Sequence, residues 1–352
     1  MDSVLITGGT GFIGIHTSLL LIEKGYKVYL VDSLINSSSK AFNRLQNYVL
    51  KNCSLASSEI YFREGDVRNI NFLRNVFQDA QDNGNTISYV IHFAGLKSVN
   101  QSINLPTLYW DNNVSGTINL LKIMDKYNCK NFIFSSSATI YSLEEKSPLN
   151  ESSKIAPFNP YGQTKAAVEN ILKDLAQIPN DSWNIISLRY FNPIGAHVSG
   201  IFGESPKGEP NNLFPHICNV GSLKEKTLMI FGKDWPTDDG TCIRDYIHIM
   251  DLAEGHLDAI KYITKRTKEP FFLPINLGRG KGISVLELVK TFEKINNIKI
   301  NFKFTDRRAG DKDIVYADCK KANKVLGWFP KRDINQMCRD GWNWHKNNQN
   351  GY

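Results

Sequence analysis

One stretch near the start of the chain restricts its fold more than any other. Gly8-Gly9-Thr10-Gly11-Phe12-Ile13-Gly14 sits between an apolar, β-branched run (Val4-Leu5-Ile6-Thr7) and apolar residues at helical spacing from Gly11 to Lys24. That helix should stop at Gly25, where a glycine C-cap is available, and Lys27–Val31 then reads as a second strand running into Asp32. Strand, glycine turn, helix and strand in this order define a β-α-β unit. The pattern recurs more loosely. Strands are predicted at Ser88–Phe93, Asn131–Ser135 and Asn184–Leu188, with helical stretches that include Asn113–Tyr127 and Tyr161–Ala176. Strands alternating with helices imply an α/β fold built on a doubly wound parallel sheet. After residue 192 the pattern changes, with Pro193, Pro206, Pro210 and Pro215 set among glycines and asparagines. The reading is a first domain over 1–192 and a smaller, mixed α/β C-terminal substrate lobe over 193–352. Some segments of that lobe are expected to cross back to the first domain, for example around Arg244–Ala253.

Gly8, Gly11 and Gly14 recur at intervals of three. A tight glycine turn lets the backbone approach a pyrophosphate, and the free N–H groups of the following helix favour negative charge. Glycines alone are weak evidence, since any loop is rich in them; their place between strand and helix is what makes the signal strong. Asp32 falls 18 residues after Gly14. A carboxylate there can accept hydrogen bonds from an adenosine ribose and would repel a 2′-phosphate, which points to NAD and away from NADP. The glycine spacing resembles the short-chain dehydrogenase/reductase variant of the Rossmann-type turn.

Tyr161 and Lys165 lie four residues apart at the start of a predicted helix and so share a face. An unperturbed phenol titrates near ~10 and is a poor base at neutral pH. A neighbouring ammonium, together with the positive nicotinamide ring, would favour the phenolate, lower its pKa and make it a base for a hydroxyl proton. Ser137, 24 residues before Tyr161 and at the end of a predicted strand, would complete a Ser-Tyr-Lys triad. Tyr316 and Lys320 repeat the Tyr-x-x-x-Lys spacing without this company and read as surface or packing residues.

Many stretches together resemble the UDP-glucose (UDP-galactose) 4-epimerases of the extended short-chain dehydrogenase/reductase superfamily. They are Thr7-Gly8-Gly9-x-Gly11-x-Ile13-Gly14, His92-Phe93-Ala94-Gly95-Leu96-Lys97, Asp111-Asn112-Asn113, Ser135-Ser136-Ser137-Ala138-Thr139, Tyr161-Gly162-x-x-Lys165 and Arg189-Tyr190-Phe191-Asn192-Pro193. Pro210-Asn211-Asn212-Leu213, Asp239-Gly240-Thr241, Arg244-Asp245-Tyr246-Ile247-His248 and Arg307-Arg308-x-Gly310-Asp311 extend the likeness through nearly the whole chain. The resemblance implies a Rossmann-type domain whose NAD is lined by Gly8, Gly11, Phe12, Ile13, Gly14, Asp32, Asn36, Ser37, Asp66, Val67, Phe93, Ala94, Gly95, Lys97, Asn112 and Phe191, together with Tyr161 and Lys165. Asp66 would accept from the adenine amino group. A UDP-sugar would meet Lys97, Ser137, Tyr161, Asn192, Asn212, Leu213, Met229, Phe231, Arg244, Arg308, Asp311 and Val315. Arginines suit a diphosphate because a guanidinium binds it bidentately with fixed charge.

Two departures from the family pattern stand out. Ile140-Tyr141-Ser142 replaces Val-Tyr-Gly, with little consequence expected. Val315 stands where relatives that prefer plain hexoses can carry a bulky tyrosine, so the pocket should also admit UDP-GlcNAc and UDP-GalNAc. A 4,6-dehydratase is the nearest alternative, but it would need Asp-Glu where this chain has Ala138-Thr139. A uronate epimerase, or a non-catalytic NAD-sensing regulator, fits the Leu96-Lys97 and triad residues less well.

Composition narrows the setting. The six cysteines are scattered singly, which argues against a disulfide framework or a zinc site and fits a reducing cytosol. Met1-Asp2-Ser3 leads straight into a strand, so no secretory leader is expected, and no apolar run reaches the ~20 residues of a membrane span. A net charge of +7 without a Lys/Arg tract gives no nucleic-acid footprint. No metal ligand set is expected. A homodimer is implied by the resemblance, with apolar positions on Leu108–Tyr127 and Ala167–Leu175 as its candidate face.

Overall fold

The computed structural model describes residues 2–53, 60–266, 269–308 and 310–352. The first strands are β1 (Ser3–Thr7), β2 (Lys27–Asp32), β3 (Ile60–Glu64), β4 (Ile87–His92), β5 (Asn131–Ser137) and β6 (Asn184–Tyr190). The later ones are β7 (Asn192–Ile194), β8 (Leu228–Phe231), β9 (Ile243–Arg244), β10 (Tyr246–His248), β11 (Phe271–Leu277), β12 (Ile283–Ser284), β13 (Phe302–Thr305) and β14 (Ile314–Val315), all short except β11. Seven of them form one parallel sheet in the order β11-β6-β5-β4-β1-β2-β3. Strand order reverses at β1 and β4, and a sheet of this kind opens a crevice at the carboxyl ends of its strands there.

Period-two alternation sends neighbouring residues of β1 to opposite faces, and both faces are covered. Val4 and Ile6 pack with Leu19, Leu30, Ile91 and Ile260 in one core, between the sheet and the helices Phe12–Glu23 and Ile249–Lys265. Leu5 packs with Val31, Val90, Phe132, Leu120 and Leu172 in the other, beneath the helices Gly116–Lys126 and Pro160–Leu175.

The chain returns to the large sheet through β11, which pairs with β6 along seven residues, and the helix Ile249–Lys265 lies beside Phe12–Glu23. The crossing starts within the expected Arg244–Ala253 stretch, where Ile247, Ile249, Met250, Leu252 and Ala253 join the core under the large sheet, and the strand that completes it comes later, at β11. Pro274 argues against a central strand, yet β11 is an edge strand with a partner on one side only, where a proline is tolerated. Also unforeseen are β3 and the helices Ser39–Asn52 and Ile70–Asp82. The rest of the C-terminal part builds small sheets, β8 with β13 and β9 with β12 and β14, around a core containing Phe214, Ile217, Phe292 and Met337. Among the described residues no helix is long and apolar enough to cross a membrane.

Candidate active site

The glycine turn is sterically compulsory. Gly8 has φ +68°, and a Cβ on Gly14 would stand 2.2 Å from the Gly8 carbonyl oxygen. The helix Phe12–Glu23 therefore starts hard against β1 with its N-terminus at a cleft of about 800 Å³. Asp32, at the end of β2, is nearly buried on the wall of this cleft. Its Oδ1 accepts from Leu34 N–H at 3.0 Å and the Ser37 hydroxyl at 2.9 Å, whereas among the described residues its Oδ2 accepts only from Thr10 N–H at 3.1 Å. One lone-pair direction on Oδ2 is thus left for a ligand hydroxyl.

Every residue assigned above to the dinucleotide lines this one cleft, and so do Ser137, Asn192 and Asn212. Asp66 is more engaged than anticipated. Arg68 grips both of its oxygens, through Nε at 3.1 Å and Nη2 at 2.7 Å, and holds its carboxyl below the usual carboxylate range. Arg68 also reaches Asp111 at 2.7 Å. Contact between Asp66 and an adenine amino group would require Arg68 to shift.

The triad comes from two elements. Ser137 ends β5, while Tyr161 and Lys165 belong to the helix Pro160–Leu175, whose N-cap Asn159 accepts from Gly162 N–H at 2.9 Å. A Cβ on Gly162 would lie 2.6 Å from the Thr139 carbonyl oxygen, so only glycine lets this helix press onto the turn that follows Ser137. Thr139 donates its hydroxyl proton to Ser137 Oγ at 3.0 Å, and its N–H to the same oxygen at 3.2 Å. Those two bonds use Ser137 as an acceptor and leave its own proton available to the cleft. Lys165 is 5% exposed; its Nζ donates to the Ser135 carbonyl at 2.8 Å and sits 5.9 Å from the centre of the Tyr161 ring. Burial lowers the Lys165 ammonium to about 8, opposed by the anionic Glu169 one turn along the helix. Burial likewise pushes the Tyr161 phenol up to about 12, opposed by the Ser137 hydroxyl. In the protein groups alone desolvation of the ring prevails; the lowering was expected from Lys165 and the positive nicotinamide ring together.

A further cluster lies on the C-terminal small sheets. Arg308 stacks 4.5 Å over the Phe231 ring and bonds Asp311 at 3.1 Å, and Asp311 also faces Arg244 at 3.5 Å. Arg244 is steadied by the Lys312 carbonyl at 2.8 Å and pairs in register with Val315. Met229 and Phe231 expose alternate side chains of β8. Val315 packs against the cluster of Ile140, Tyr141 and Phe191. These residues and Leu213 are not on the wall of the dinucleotide cleft, which takes Asn211, Asn212 and Tyr352 from the C-terminal part. The second Tyr-x-x-x-Lys pairs a packing residue with a surface residue: Tyr316 is half-buried with its ring against Gly282, and the Lys320 side chain is 91% exposed and faces Asp318.

Sequence reasoning gave Asn112 its place but assigned no role to Asn113, Glu204, Lys207 or Tyr352. Asp111–Ser115 forms a π-helical turn, a feature frequent at functional sites and without a composition signature. It places Asn112 in the cleft, while Asn113 bonds the Leu96 backbone twice and Thr164 once, tying the Gly95–Lys97 loop to the catalytic helix. Glu204, Lys207 and Tyr352 line the cleft from distant parts of the chain.

A parallel doubly wound sheet with a glycine turn, a carboxylate after its second strand and a Ser-Tyr-Lys triad define an extended short-chain dehydrogenase/reductase. Residues 5–341 match the family model described as GDP-mannose 4,6 dehydratase. UDP-glucose 4-epimerase of Bacillus subtilis is 44% identical, over 99% of this chain and 98% of its own length. A bifunctional UDP-glucose 4-epimerase and UDP-xylose 4-epimerase of Pisum sativum is 47% identical, over 100% of this chain and 97% of its own. The crystal structure of UDP-glucose 4-epimerase from Bifidobacterium longum in complex with NAD+ and UDP superposes with a TM-score of 0.91 at 42% identity, each chain fully covered. This chain belongs to the UDP-glucose 4-epimerase family, a family of isomerases.

Proposed function

We propose that this chain inverts C4 of UDP-hexoses, interconverting UDP-glucose and UDP-galactose through a 4-keto sugar, with NAD in the cleft. The observation that carries this reading is that Ser137, Tyr161 and Lys165 share one cleft with the glycine turn and Asp32. The residues fit the dinucleotide: the helix N-terminus at Gly11–Gly14 suits its pyrophosphate, and Asp32 Oδ2 has an acceptor position free for its ribose. Phe93, Ala94, Gly95, Asn112 and Phe191 continue the same wall toward Tyr161. When bound, NAD supplies the capacity to take a hydride from C4 and return it.

The chain's own groups handle protons and position. Tyr161 takes the O4 proton as the C4–H bond breaks and gives it back when that bond re-forms on the opposite face, so the cycle is redox-neutral. Ser137, with its oxygen occupied by Thr139, donates to the sugar oxygen. Lys165, fixed by the Ser135 carbonyl, supplies the positive charge that favours the phenolate once substrate arrives. Arg244, Arg308 and Asp311, with Asn192, Asn212, Leu213, Met229 and Phe231, would hold the UDP moiety, anchoring it while the sugar turns over. Val315 is small and borders the Ile140–Phe191 cluster, which supports acceptance of an N-acetyl group at C2 as well. The dehydratase alternative lacks its chemistry here: the turn after Ser137 carries Ala138 and Thr139, neither of which is an acid.

We further infer that the enzyme works in the cytosol as a homodimer. Its six cysteines are free; of the face expected for the dimer, Leu120, Leu121, Ile123, Met124, Val168 and Leu172 are core residues, while Leu108 and Trp110 stay exposed beside Ile103 and Leu105. The test is product analysis of purified protein, without added NAD, on UDP-galactose and separately on UDP-GalNAc. Conversion of both is expected, and Tyr161→Phe should abolish it while NAD stays bound. No conversion of either substrate, even with NAD supplied, would refute the epimerase reading.

A further inference from the structure

Residues 200–212 form a strap along the rim of the cleft. Glu204 lies 3.5 Å from Lys97 Nζ and accepts from Asn212 Nδ2 at 2.9 Å. Further on, Lys207 reaches the loop after β2, its N–H donating to Asn36 Oδ1 at 3.2 Å and its Nζ to the Leu34 carbonyl at 2.6 Å. The strap thus joins the C-terminal part of the chain to the loop that carries the Asp32 side of the cleft.

Its root is fastened by groups from two other regions. The Tyr352 hydroxyl accepts from Gly203 N–H and donates to the Gly203 carbonyl, both at 3.1 Å. Trp344 Nε1 donates to the Glu204 carbonyl at 3.1 Å, and Asn348 Nδ2 to the Gly200 carbonyl at 2.9 Å. Arg44, on the helix Ser39–Asn52 of the first domain, ties these together. It donates to Asn348 Oδ1 at 2.5 Å, to the Gly351 carbonyl at 3.2 Å and to the Ile201 carbonyl at 3.4 Å. Its guanidinium lies 5.1 Å from the centre of the Tyr352 ring and 5.5 Å from that of Trp344, within cation–π range of both.

We propose that Arg44 and Tyr352 are a latch that fixes the 200–212 strap across the cleft and so governs how fast the dinucleotide leaves. The inference rests on the NAD reading above. An epimerase that breaks and re-forms the same C–H bond must keep its cofactor through both steps. The strap touches both rims, so its bonds must break before the cleft opens, and they contribute to the barrier for release.

The experiment follows NAD retained by purified holoenzyme over time after gel filtration, together with hydrogen exchange of residues 201–212. Arg44→Met removes the donors and the charge while keeping the stem. It should lose NAD about tenfold faster, a ratio equal to ~1.4 kcal/mol, and exchange faster across the strap, with kcat in excess NAD unchanged. Tyr352→Phe, which deletes only the hydroxyl, should shift retention and exchange in the same direction. Unchanged retention in both variants, or faster loss with unchanged strap exchange, would overturn the latch. If retention and exchange respond as stated but no UDP-hexose is epimerised, the latch stands and the epimerase reading fails.

Discussion

The most informative perturbation lies beneath the triad, at Glu169. This carboxylate is 3% exposed and accepts four hydrogen bonds, from Ser136 Oγ at 2.6 Å, Ser187 Oγ at 2.8 Å, Arg189 Nε at 3.0 Å and Arg189 Nη2 at 2.6 Å. It also stands one helical turn from Lys165 and raises the pKa of that ammonium against the burial that lowers it to about 8. Glu169→Gln keeps the shape, removes the charge and turns an NH2 toward the buried Arg189. Removing one partner of a buried ion pair costs ~3–5 kcal/mol, so the urea midpoint should fall substantially. The second effect has a definite sign. Without the anion the Lys165 ammonium is less favoured, so its proton is lost at lower pH and the alkaline limb of kcat moves below its wild-type position. The assay is kcat from pH 6 to 9.5 in excess NAD, with Arg189→Gln as the comparison. That second variant breaks the same pair yet leaves the Glu169 charge, so it should lose stability without moving the limb downward. An alkaline limb that stays in place in Glu169→Gln, despite the lost stability, would refute the electrostatic link to Lys165.

Two other substitutions test separate parts of the argument. Asp245 is fully buried and accepts from the backbone N–H groups of Arg279 at 2.7 Å, Gly280 at 3.0 Å and Ala317 at 3.1 Å. Asp245→Ala leaves three donors unpaired at ~1–3 kcal/mol each and should lose at least ~3 kcal/mol in urea unfolding. Burial raises the Asp245 carboxyl to about 6, so between its unfolded pKa near 3.8 and about 6 the folded state binds more protons. That contribution to wild-type stability is present at low pH and is lost as pH rises through this window; the variant's stability curve should lack it. Val315→Tyr should lower kcat/KM for UDP-GalNAc about tenfold or more while UDP-galactose is still epimerised. Equal activity on both sugars in parallel assays would remove Val315 from the specificity argument.

Short-range physics makes part of this protein legible from its residues alone. A glycine turn between an apolar strand and a helix, followed by Asp32, depends on residues close in sequence, and the placement of Tyr161 and Lys165 on one face depends on helical periodicity alone. The structure agrees on each. The strands β4, β5 and β6 also lie within two residues of their sequence-based bounds, because continuous apolar runs in a parallel sheet are distinctive. Tertiary structure decided what local pattern could not encode. Ser137 reaches the triad only because β5 packs under the helix carrying Tyr161. Asn113 was hidden by a π-helical turn. β11 was obscured by Pro274, whose missing N–H matters only if the strand has neighbours on both sides, and that is a property of sheet order. Glu204, Lys207, Arg44 and Tyr352 belong to a network whose bonded partners lie as far as 149, 171 and 307 residues apart. No periodicity spans such distances; the meeting of those side chains follows from which strands pair and which helices cover them, and those choices are settled by burial of the two cores.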